Sequence, residues 1–475
     1  MVLSANRKWI VSSLAATALS TVLYWFGIGL QPHAWLTWLA PLPILLLAPY
    51  IRAPWLALAA CVAGALGGLS QWHYLHHVIV LPLGVILLII ITPGVVLALC
   101  VLLFQKLLRA GHGLAATLAM PVLWVAIDYA SSLLSPHGTF GNIGYTQMNA
   151  LPVIQIAAVT GLWGIGFLLL LVPAAIAVVL GRGTGISSRT RLYVGGIALL
   201  SLGLSLGYGY WRLQASAIDT LRVGLVSLEK PIRPALNDPS GQALMLRYTT
   251  AIDRLAAAGA RAVVIPETSF ATADATIPGF ADSARRNGLT MVAGIDFQGV
   301  PQSERNMVMV FRPNLMSPAI YSKHHLIPGY EDQYKPGTDY TMLDGTSRIG
   351  LAICKDMDFH DIGQAYAARD AQLLFVPAWD FGADGWLHSR MAVMRGVESG
   401  FAIARVARTG RLTLSDDRGR VVAEASSEGS DAELVGDLPL RDTHTLYARW
   451  GDWFAWLDLV LLIALLAWAV VPSRR

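Results

Sequence analysis

The chain has 475 residues, of which 55% are hydrophobic and only 14% are charged, and its formal net charge is +4. Ordinary soluble chains carry about 25% charged residues, so this composition excludes a wholly water-soluble protein and also a disordered one. The small net charge gives no indication of a nucleic-acid partner.

Charged side chains are distributed unevenly along the chain. Residues 1–220 contain nine basic and two acidic side chains, whereas residues 221–452 contain 24 basic and 28 acidic ones. We therefore predict a membrane domain with about seven transmembrane helices over 1–220 and a water-soluble domain over 221–452. A C-terminal transmembrane helix with a short tail is predicted over 453–475.

Eight apolar segments are candidates for membrane-spanning helices. They cover residues 9–28, 34–50, 54–74, 78–104, 114–134, 152–180, 192–212 and 454–472. No cleavage-site pattern follows the first segment, so we expect a retained helix there and not a signal peptide. Asp128 stands out as an ionisable side chain inside a span, and its place near the helix end favours snorkelling towards water.

Lys and Arg occupy alternate loops between these segments. They lie before the first segment and in the loops after the second, fourth and sixth, and they end the chain, as Arg7, Lys8, Arg52, Lys106, Arg109, Arg182, Arg189, Arg191, Arg474 and Arg475. By the positive-inside rule these loops and both termini are cytoplasmic. The pattern predicts a multi-pass protein of the cell inner membrane with residues 221–452 on the periplasmic side.

Residues 222–440 alternate between short β-branched runs and helical stretches. Strands are predicted at 222–228, 262–265, 289–297, 307–311, 319–323, 348–353 and 373–376, helices at 241–258 and 384–399, and a β-meander at 401–426. Helices that alternate with strands and lie among adjacent strands predict a layered α/β domain.

Three polar residues stand at the ends of predicted strands: Glu267 in VVIPETS, Lys323 in IYSKHHLIP and Cys354 in GLAICKDMD. Strand ends in α/β folds present side chains to a crevice. A thiolate can attack a carbonyl carbon, a carboxylate can take the thiol proton, and an ammonium group can stabilise the thiolate and the oxyanion. Each residue singly is more often structural, so spacing alone does not establish a triad.

The strings VVIPETS, YSKHHLIPGYE and GLAICKD resemble the Glu-Lys-Cys signatures of the nitrilase, or carbon-nitrogen hydrolase, superfamily. The segments FGNIGYTQ, VTGLWGIGF and TLYARWGDWFAW are similar to those of its membrane branch, the apolipoprotein N-acyltransferases. The resemblance implies an integral membrane all-α helical bundle of about eight spans. It also implies a soluble α/β nitrilase-like domain, an αββα sandwich, between the seventh and eighth spans.

The resemblance implies a reaction in two halves without a cofactor or metal. A fatty acyl group would pass from a phospholipid to a cysteine thioester, and then to the N-terminal amine of a diacylglyceryl lipoprotein. Cys354 would be the nucleophile, Glu267 the general base, and Lys323 the stabiliser of the thiolate and oxyanion. Glu331 matches a second acid of the family, which would orient Lys323 or assist proton transfer, or else form a structural ion pair.

Four residues are candidate substrate contacts: Lys355, Asp356, Trp379 and Asp380. The family usually has an aromatic residue and then Glu after its cysteine, so Lys355 and Asp356 depart from the pattern. We expect the charge of Lys355 to favour the thiolate. Only 22 residues separate Glu331 from Cys354, too few for the long apolar arm of the family.

Two alternatives stay open at this stage. The same triad would serve a membrane-anchored amidase or an acyltransferase with a different amine acceptor, in which water or another amine resolves the thioester. A catalytically inactive membrane scaffold is the other alternative, and the intact Glu267, Lys323 and Cys354 argue against it.

Overall fold

The structure is a computed structural model that describes residues 2–299 and 303–470. It divides into two compact units. The first consists of Met1–Leu133, Gly141–Leu213 and Asp452–Arg475, and the second of Leu134–Phe140 and Gln214–Gly451. The basic residues Arg474 and Arg475 lie outside the described residues, as do the side chains of Arg7 and Lys8.

The described part of the first unit contains helices joined by loops, and no strand lies among its described residues. With helices numbered in chain order over the whole molecule, it contains α1 Val2–Gly27, α2 Ala34–Leu39, α3 Leu42–Leu47, α4 Ala53–Gly68, α5 Leu83–Arg109, α6 Gly113–Leu134, α7 Leu151–Ile154, α8 Ala157–Thr160, α9 Leu162–Leu180, α10 Ser188–Arg212 and α16 Trp453–Val470. By length and composition, six described helices could cross a membrane, and three shorter apolar stretches accompany them. The predicted helical bundle of about eight spans agrees with this pattern.

The predicted segment 152–180 is not one continuous helix. It consists of α7, α8 and α9, and the break before α9 lies at Gly161, whose φ is 66° and ψ −172°. Glycine adopts this backbone conformation without the steric cost that other residues pay. After the break, the Trp163 indole N–H donates to the Asp452 carboxylate at 2.7 Å, which connects the start of α9 to the residue before α16.

Two carboxyl groups of this unit differ in their hydrogen bonding. Asp128 accepts from the Trp124 indole and from the Asn142 amide, both at 3.1 Å, so it is held by partners instead of snorkelling to water. Asp458 in α16 is a second ionisable residue within a predicted span. Its side chain is buried, and neither carboxyl oxygen has a hydrogen-bond partner among the described residues.

The second unit is built from two six-stranded sheets. Its strands are β1 Asp219–Ser227, β2 Ala262–Thr272, β3 Thr290–Phe297, β4 Arg305–Phe311, β5 Ala319–Ser322, β6 Met342–Leu343, β7 Ile349–Leu351, β8 Leu373–Ala378, β9 Ala402–Ala407, β10 Arg411–Ser415, β11 Val421–Ser426 and β12 Ala432–Leu440. Its helices are α11 Pro239–Ala257, α12 Pro278–Asn287, α13 His360–Ala367, α14 Gly385–Ser399 and α15 Leu446–Trp450.

The strands follow the order β12-β1-β2-β3-β4-β5 in one sheet and β11-β10-β9-β8-β7-β6 in the other. The central pairs β1–β2, β2–β3, β7–β8 and β8–β9 are parallel, and the outer pairs are antiparallel. Parallel neighbours place their carboxyl ends at the same edge of a sheet, where α/β folds collect their functional groups.

The buried side chains form three layers of contact. The inner faces of the two sheets share one core, to which Leu225 and Val292 contribute from one sheet and Phe375 and Leu412 from the other. The outer face of the first sheet packs against α11 and α12. The outer face of the second packs against α13 and α14. The predicted αββα sandwich is therefore confirmed.

Candidate active site

We predicted Glu267 at the end of a strand. In the structure it lies inside β2. The ladder between β2 and β3 is interrupted between Ile265 and Phe270. A Cβ on the facing Gly294 would come within 2.4 Å of the Pro266 carbonyl oxygen and 2.5 Å of the Glu267 Cα. Glycine at 294 therefore permits the close approach of the irregular strand, a device that re-aims side chains next to functional sites.

Lys323 follows β5 directly, and its ammonium group lies between two carboxylates. Its Nζ is 2.7 Å from Glu267 Oε1 and 2.9 and 3.0 Å from the two oxygens of Glu331. Asn306 in β4 donates from its amide nitrogen to Glu267 Oε1 and Glu331 Oε1, both at 2.6 Å. The backbone N–H of Ile327 donates to Glu331 at 2.8 Å. These four side chains, Glu267, Asn306, Lys323 and Glu331, are called the acid–lysine cluster below.

The two carboxyl groups of the acid–lysine cluster have pKa values that are shifted in opposite directions. Burial opposes the charge of Lys323, but the attraction of both carboxylates outweighs it and raises the pKa of Lys323 well above its usual value. Burial also opposes ionisation of Glu331, yet Lys323 lowers its pKa. Burial and the charge of Glu331 raise the pKa of Glu267 in spite of Lys323. Glu267 is consequently the more basic carboxylate, which suits a proton acceptor.

Cys354 begins a short 3-10 helix, Cys354–Asp358, just after β7. Its φ of 43° lies in the left-handed region, which costs a non-glycine residue about 1–3 kcal/mol and is typical of functional positions. Its Sγ lies 3.5 Å from the backbone carbonyl oxygen of Trp379. Burial and the charge of Glu267 raise the pKa of the Cys354 thiol well above its usual value, although Lys323 opposes them. The resting thiol is therefore neutral and needs a base.

The Lys355 side chain is buried and lies beside His137 and Asp358. Its charge acts on Cys354 as well, so its effect on the thiolate stays a prediction. Its Nζ is 2.9 Å from His137 Nδ1 and 3.8 Å from an Asp358 carboxylate oxygen. Burial and the charge of Lys355 lower the pKa of His137, so a neutral imidazole accepts from the ammonium group.

The segment Leu134–Phe140 belongs to the second unit although it lies between α6 and α7 in the chain. Thr139 donates from its backbone N–H and its hydroxyl to the Asp358 carbonyl oxygen, at 3.0 and 2.7 Å. A Cβ on Gly138 would come within 2.6 Å of that oxygen. With the hydrogen bond that Lys355 donates to His137, these contacts attach the segment to the turn that carries Cys354. No sequence motif indicated this attachment.

Asp358 also contacts His388 in α14. His388 Nδ1 lies 3.5 Å from Asp358, and its Nε2 lies 3.3 Å from Asp384. Burial opposes the imidazolium charge, but the two carboxylates raise the pKa of His388 to about 10. The turn after Cys354 is therefore held by a buried network of charged groups, formed by Asp358, His388 and Asp384.

Asp356 is fully buried, and four donors surround its carboxylate. Three are backbone N–H groups, of His324, His325 and Ile353, at 3.1, 2.9 and 2.9 Å. The fourth is the Tyr321 hydroxyl at 2.7 Å. Asp356 thus fastens the segment after Lys323 to the cysteine turn. This environment favours a supporting role over the substrate contact that we predicted.

Asp380 and Trp379 follow β8 but face different surroundings. Asp380 forms a buried bidentate pair with Arg405, so its carboxylate is already satisfied. Trp379 is half-buried, and the Arg408 guanidinium carbon lies 4.2 Å from its ring centroid. Of the four predicted substrate contacts, Trp379 is the one that combines partial exposure with a contact to the Cys354 thiol.

Comparison with known proteins identifies both parts of the chain. A family model described as apolipoprotein N-acyltransferase N-terminal domain matches residues 20–175, and one described as carbon-nitrogen hydrolase matches residues 233–448. The first part of the chain is therefore similar to the apolipoprotein N-acyltransferases, and the second to the carbon-nitrogen hydrolases. The resemblance found in the sequence is therefore confirmed, and the protein is a membrane protein with a carbon-nitrogen hydrolase domain.

Curated relatives share the arrangement over most of their length. The apolipoprotein N-acyltransferase of Geobacter metallireducens is 28% identical to this chain, and the match covers 76% of each protein. The apolipoprotein N-acyltransferase of Gloeobacter violaceus is 25% identical, and the match covers 99% of this chain and 96% of the relative. Among solved structures, an amidase from Nesterenkonia sp. gives a TM-score of 0.41 at 22% identity, over 48% of this chain and 94% of its own.

Proposed function

We propose that this membrane acyltransferase moves a fatty acyl group from a phospholipid to Cys354 and then to the N-terminal amine of a diacylglyceryl lipoprotein. The observation that carries the proposal is the buried acid–lysine cluster, which acts electrostatically on the Cys354 thiol. The curated relatives are named for this activity. Both the phospholipid donor and the lipoprotein acceptor are parts of the proposal.

In the first half-reaction Glu267 accepts the proton of the Cys354 thiol. The sulfur attacks the ester carbonyl carbon of the phospholipid, a C–S bond forms, and negative charge develops on the carbonyl oxygen. Lys323 stabilises that oxyanion, and the backbone N–H of Lys355 is a second candidate donor. The C–O bond then breaks, and the departing alcohol of the lysophospholipid takes the proton from Glu267.

In the second half-reaction the acceptor amine attacks the thioester carbonyl carbon. Glu267 accepts a proton from the amine, the C–S bond breaks, and the thiolate regains the proton. Glu331 and Asn306 contact Lys323 and Glu267 respectively, so they act as positioning residues for both groups.

The proposed topology follows from the basic residues in alternate loops. Residues 1–220 and 453–475 would lie in the cell inner membrane, and residues 221–452 would form the periplasmic catalytic domain, with both termini cytoplasmic. A reporter that is active only in the periplasm should function when fused after residue 440 and not after Arg475. Reversed activities would refute the orientation.

Mass spectrometry tests the chemistry directly. Purified full-length protein exposed to phospholipid should carry an acyl mass on the Cys354 peptide, and addition of a diacylated lipopeptide should discharge it. The Cys61→Ala variant, which removes a thiol of the first unit, should behave as the wild type. Absence of an adduct on Cys354 would refute the thioester.

The amidase alternative predicts a different lifetime for the same adduct. An amidase would let water hydrolyse the thioester at a rate indifferent to lipopeptide, whereas a transferase must exclude water until the amine arrives. We expect the adduct to persist in a bilayer without an acceptor, because the N-terminal part matches the acyltransferase family model. Rapid loss that does not depend on lipopeptide would favour the amidase.

A further inference from the structure

Two guanidinium groups lie over the ring of Trp379, and a buried lysine contacts one of them. Arg408 and Arg233 place their guanidinium carbons 4.2 and 5.9 Å from the centroid of the Trp379 ring. Arg408 donates to the Lys230 carbonyl oxygen at 2.8 Å. Lys230 donates from Nζ to the Thr268 carbonyl oxygen at 3.4 Å. The residues Lys230, Arg233 and Arg408 are called the basic cluster below.

The basic cluster is not neutralised by ion pairs. None of its three side chains forms a salt bridge within the described part of the chain, whereas Arg405, three residues before Arg408, is paired with Asp380 at 2.5 Å. Arg408 Nη1 and Arg233 Nε are buried and have no hydrogen-bond partner among the described residues. Leaving buried N–H groups without acceptors is unfavourable, so an anion would be a favourable partner for both atoms.

The members of the basic cluster repel one another. Lys230 is only 8% exposed, and burial together with the charge of Arg408 lowers its pKa well below the usual value. Burial and the charge of Arg233 lower the pKa of Arg408. The facing acids are Glu267, which acts on Lys230 but already pairs with Lys323, and Asp296, which acts on Arg233. An added anion would relieve the repulsion.

Trp379 connects the basic cluster to the nucleophile. Its carbonyl oxygen accepts from the Cys354 thiol at 3.5 Å, and its ring lies against Arg408. In a glycerophospholipid only a few bonds separate the ester carbonyl carbon, which the thiol attacks, from the phosphorus atom. Guanidinium groups match phosphate oxygens with paired hydrogen bonds, and a compact ammonium group adds a point charge.

We propose that Lys230, Arg233 and Arg408 bind the phosphate group of the acyl donor while its ester carbonyl reaches Cys354. This inference rests on the proposed function and adds the part of the substrate that the enzyme recognises. The basic cluster then selects phosphate-bearing lipids over neutral glycerolipids with the same acyl chains.

The experiment compares two acyl donors with identical chains, dipalmitoyl phosphatidylglycerol and dipalmitoylglycerol, in neutral detergent micelles. The measured quantity is the initial rate of acyl adduct formation on Cys354 of the full-length protein. The wild type should prefer the phospholipid. Arg408→Gln and Arg233→Gln should each reduce the rate with phospholipid by roughly tenfold and reduce the rate with dipalmitoylglycerol much less, so that the donor preference falls.

Two controls exclude a general defect. Arg285→Gln removes the same charge from the exposed surface of α12 and should keep the wild-type preference. Arg408→Lys retains the charge without the planar fork and should keep part of the preference. Alkylation of Cys354 by iodoacetamide should proceed at the wild-type rate in every variant, which checks that the thiol and its surroundings are intact.

Free phosphate distinguishes the source of the anion. If millimolar inorganic phosphate slows acylation by phospholipid in the wild type but not in Arg408→Gln, the site takes phosphate as such. If it has no effect while the donor preference still falls in the variants, the site takes lipid-bound phosphate. An unchanged donor preference in both glutamine variants would overturn the proposal. A wild type that forms no Cys354 adduct with either donor would overturn the proposed function itself.

Discussion

The acid–lysine cluster acts on the Cys354 thiol, and the basic cluster contacts Trp379, whose carbonyl oxygen lies 3.5 Å from that thiol. The two clusters differ in how far their charges are satisfied. In the acid–lysine cluster the ammonium group of Lys323 contacts both carboxylates, and Asn306 bridges them. In the basic cluster two guanidinium N–H groups have no partner in the described structure. A closed cluster is preorganised for proton transfer and oxyanion stabilisation, whereas an open one is suited to receive a charged ligand.

The largest expected effect falls at Cys354, the proposed nucleophile. Cys354→Ser replaces a thiol by a hydroxyl with a much higher pKa, so acyl transfer should fall by about 10⁴-fold or more, as for loss of other nucleophiles. Thermal unfolding in detergent should stay close to that of the wild type. Cys61→Ser is the control. Near-wild-type turnover of Cys354→Ser would show that the nucleophile is misassigned.

One lysine from each cluster gives a matched comparison of stability. Lys323→Met leaves two buried carboxylates without their cation and should lower the free energy of unfolding by about 3–5 kcal/mol. Lys230→Met removes one of three mutually repelling cations, so its effect should stay within about 1 kcal/mol. Denaturant unfolding of the two purified variants measures the difference. Equal losses would contradict the contrast between the clusters.

Asn306 tests whether the closed cluster depends on its bridging amide. Asn306→Leu keeps a similar volume but removes the donor shared by Glu267 and Glu331, and we expect a loss of about 1.5–3 kcal/mol, the range for hydrogen bonds to charged groups. The acyl-transfer rate should fall as well, because Glu267 loses a contact that orients it. A variant as stable and active as the wild type would assign the positioning to Lys323 alone.

The smallest expected effect is a shift in pH dependence. Glu267 must be ionised to take the thiol proton, so Cys354 acylation should decline as the pH falls through the pKa of Glu267. Because that pKa is raised, partly by the charge of Glu331, Glu331→Gln should move the acid limb of the rate profile to lower pH. Asp282→Asn, on the exposed surface of α12, should not move it. A shift to higher pH would contradict the assignment of the base.

The sequence alone predicted a helical part, an α/β part and most of their elements. Hydropathy and charge patterns can be read within a short stretch of sequence. The apolar segments and the charge-rich region could therefore be located without knowledge of any tertiary contact. The same holds for the positions of Lys323 and Cys354 just after β5 and β7. Glu267 contacts Lys323 as part of the acid–lysine cluster, but the irregularity in β2 that presents it depends on Gly294 in another strand.

Only the tertiary structure decided which charges are paired. Asn306 stands 39 residues after Glu267 and 25 before Glu331 in the chain, and sheet register brings it between them. Asp356 and Asp380 follow strands that carry the site, yet layer packing turns both towards buried partners. The basic cluster joins segments after β1 and β9, which belong to different sheets. Local sequence patterns do not predict such pairings, because the pairings arise when the two sheets pack together.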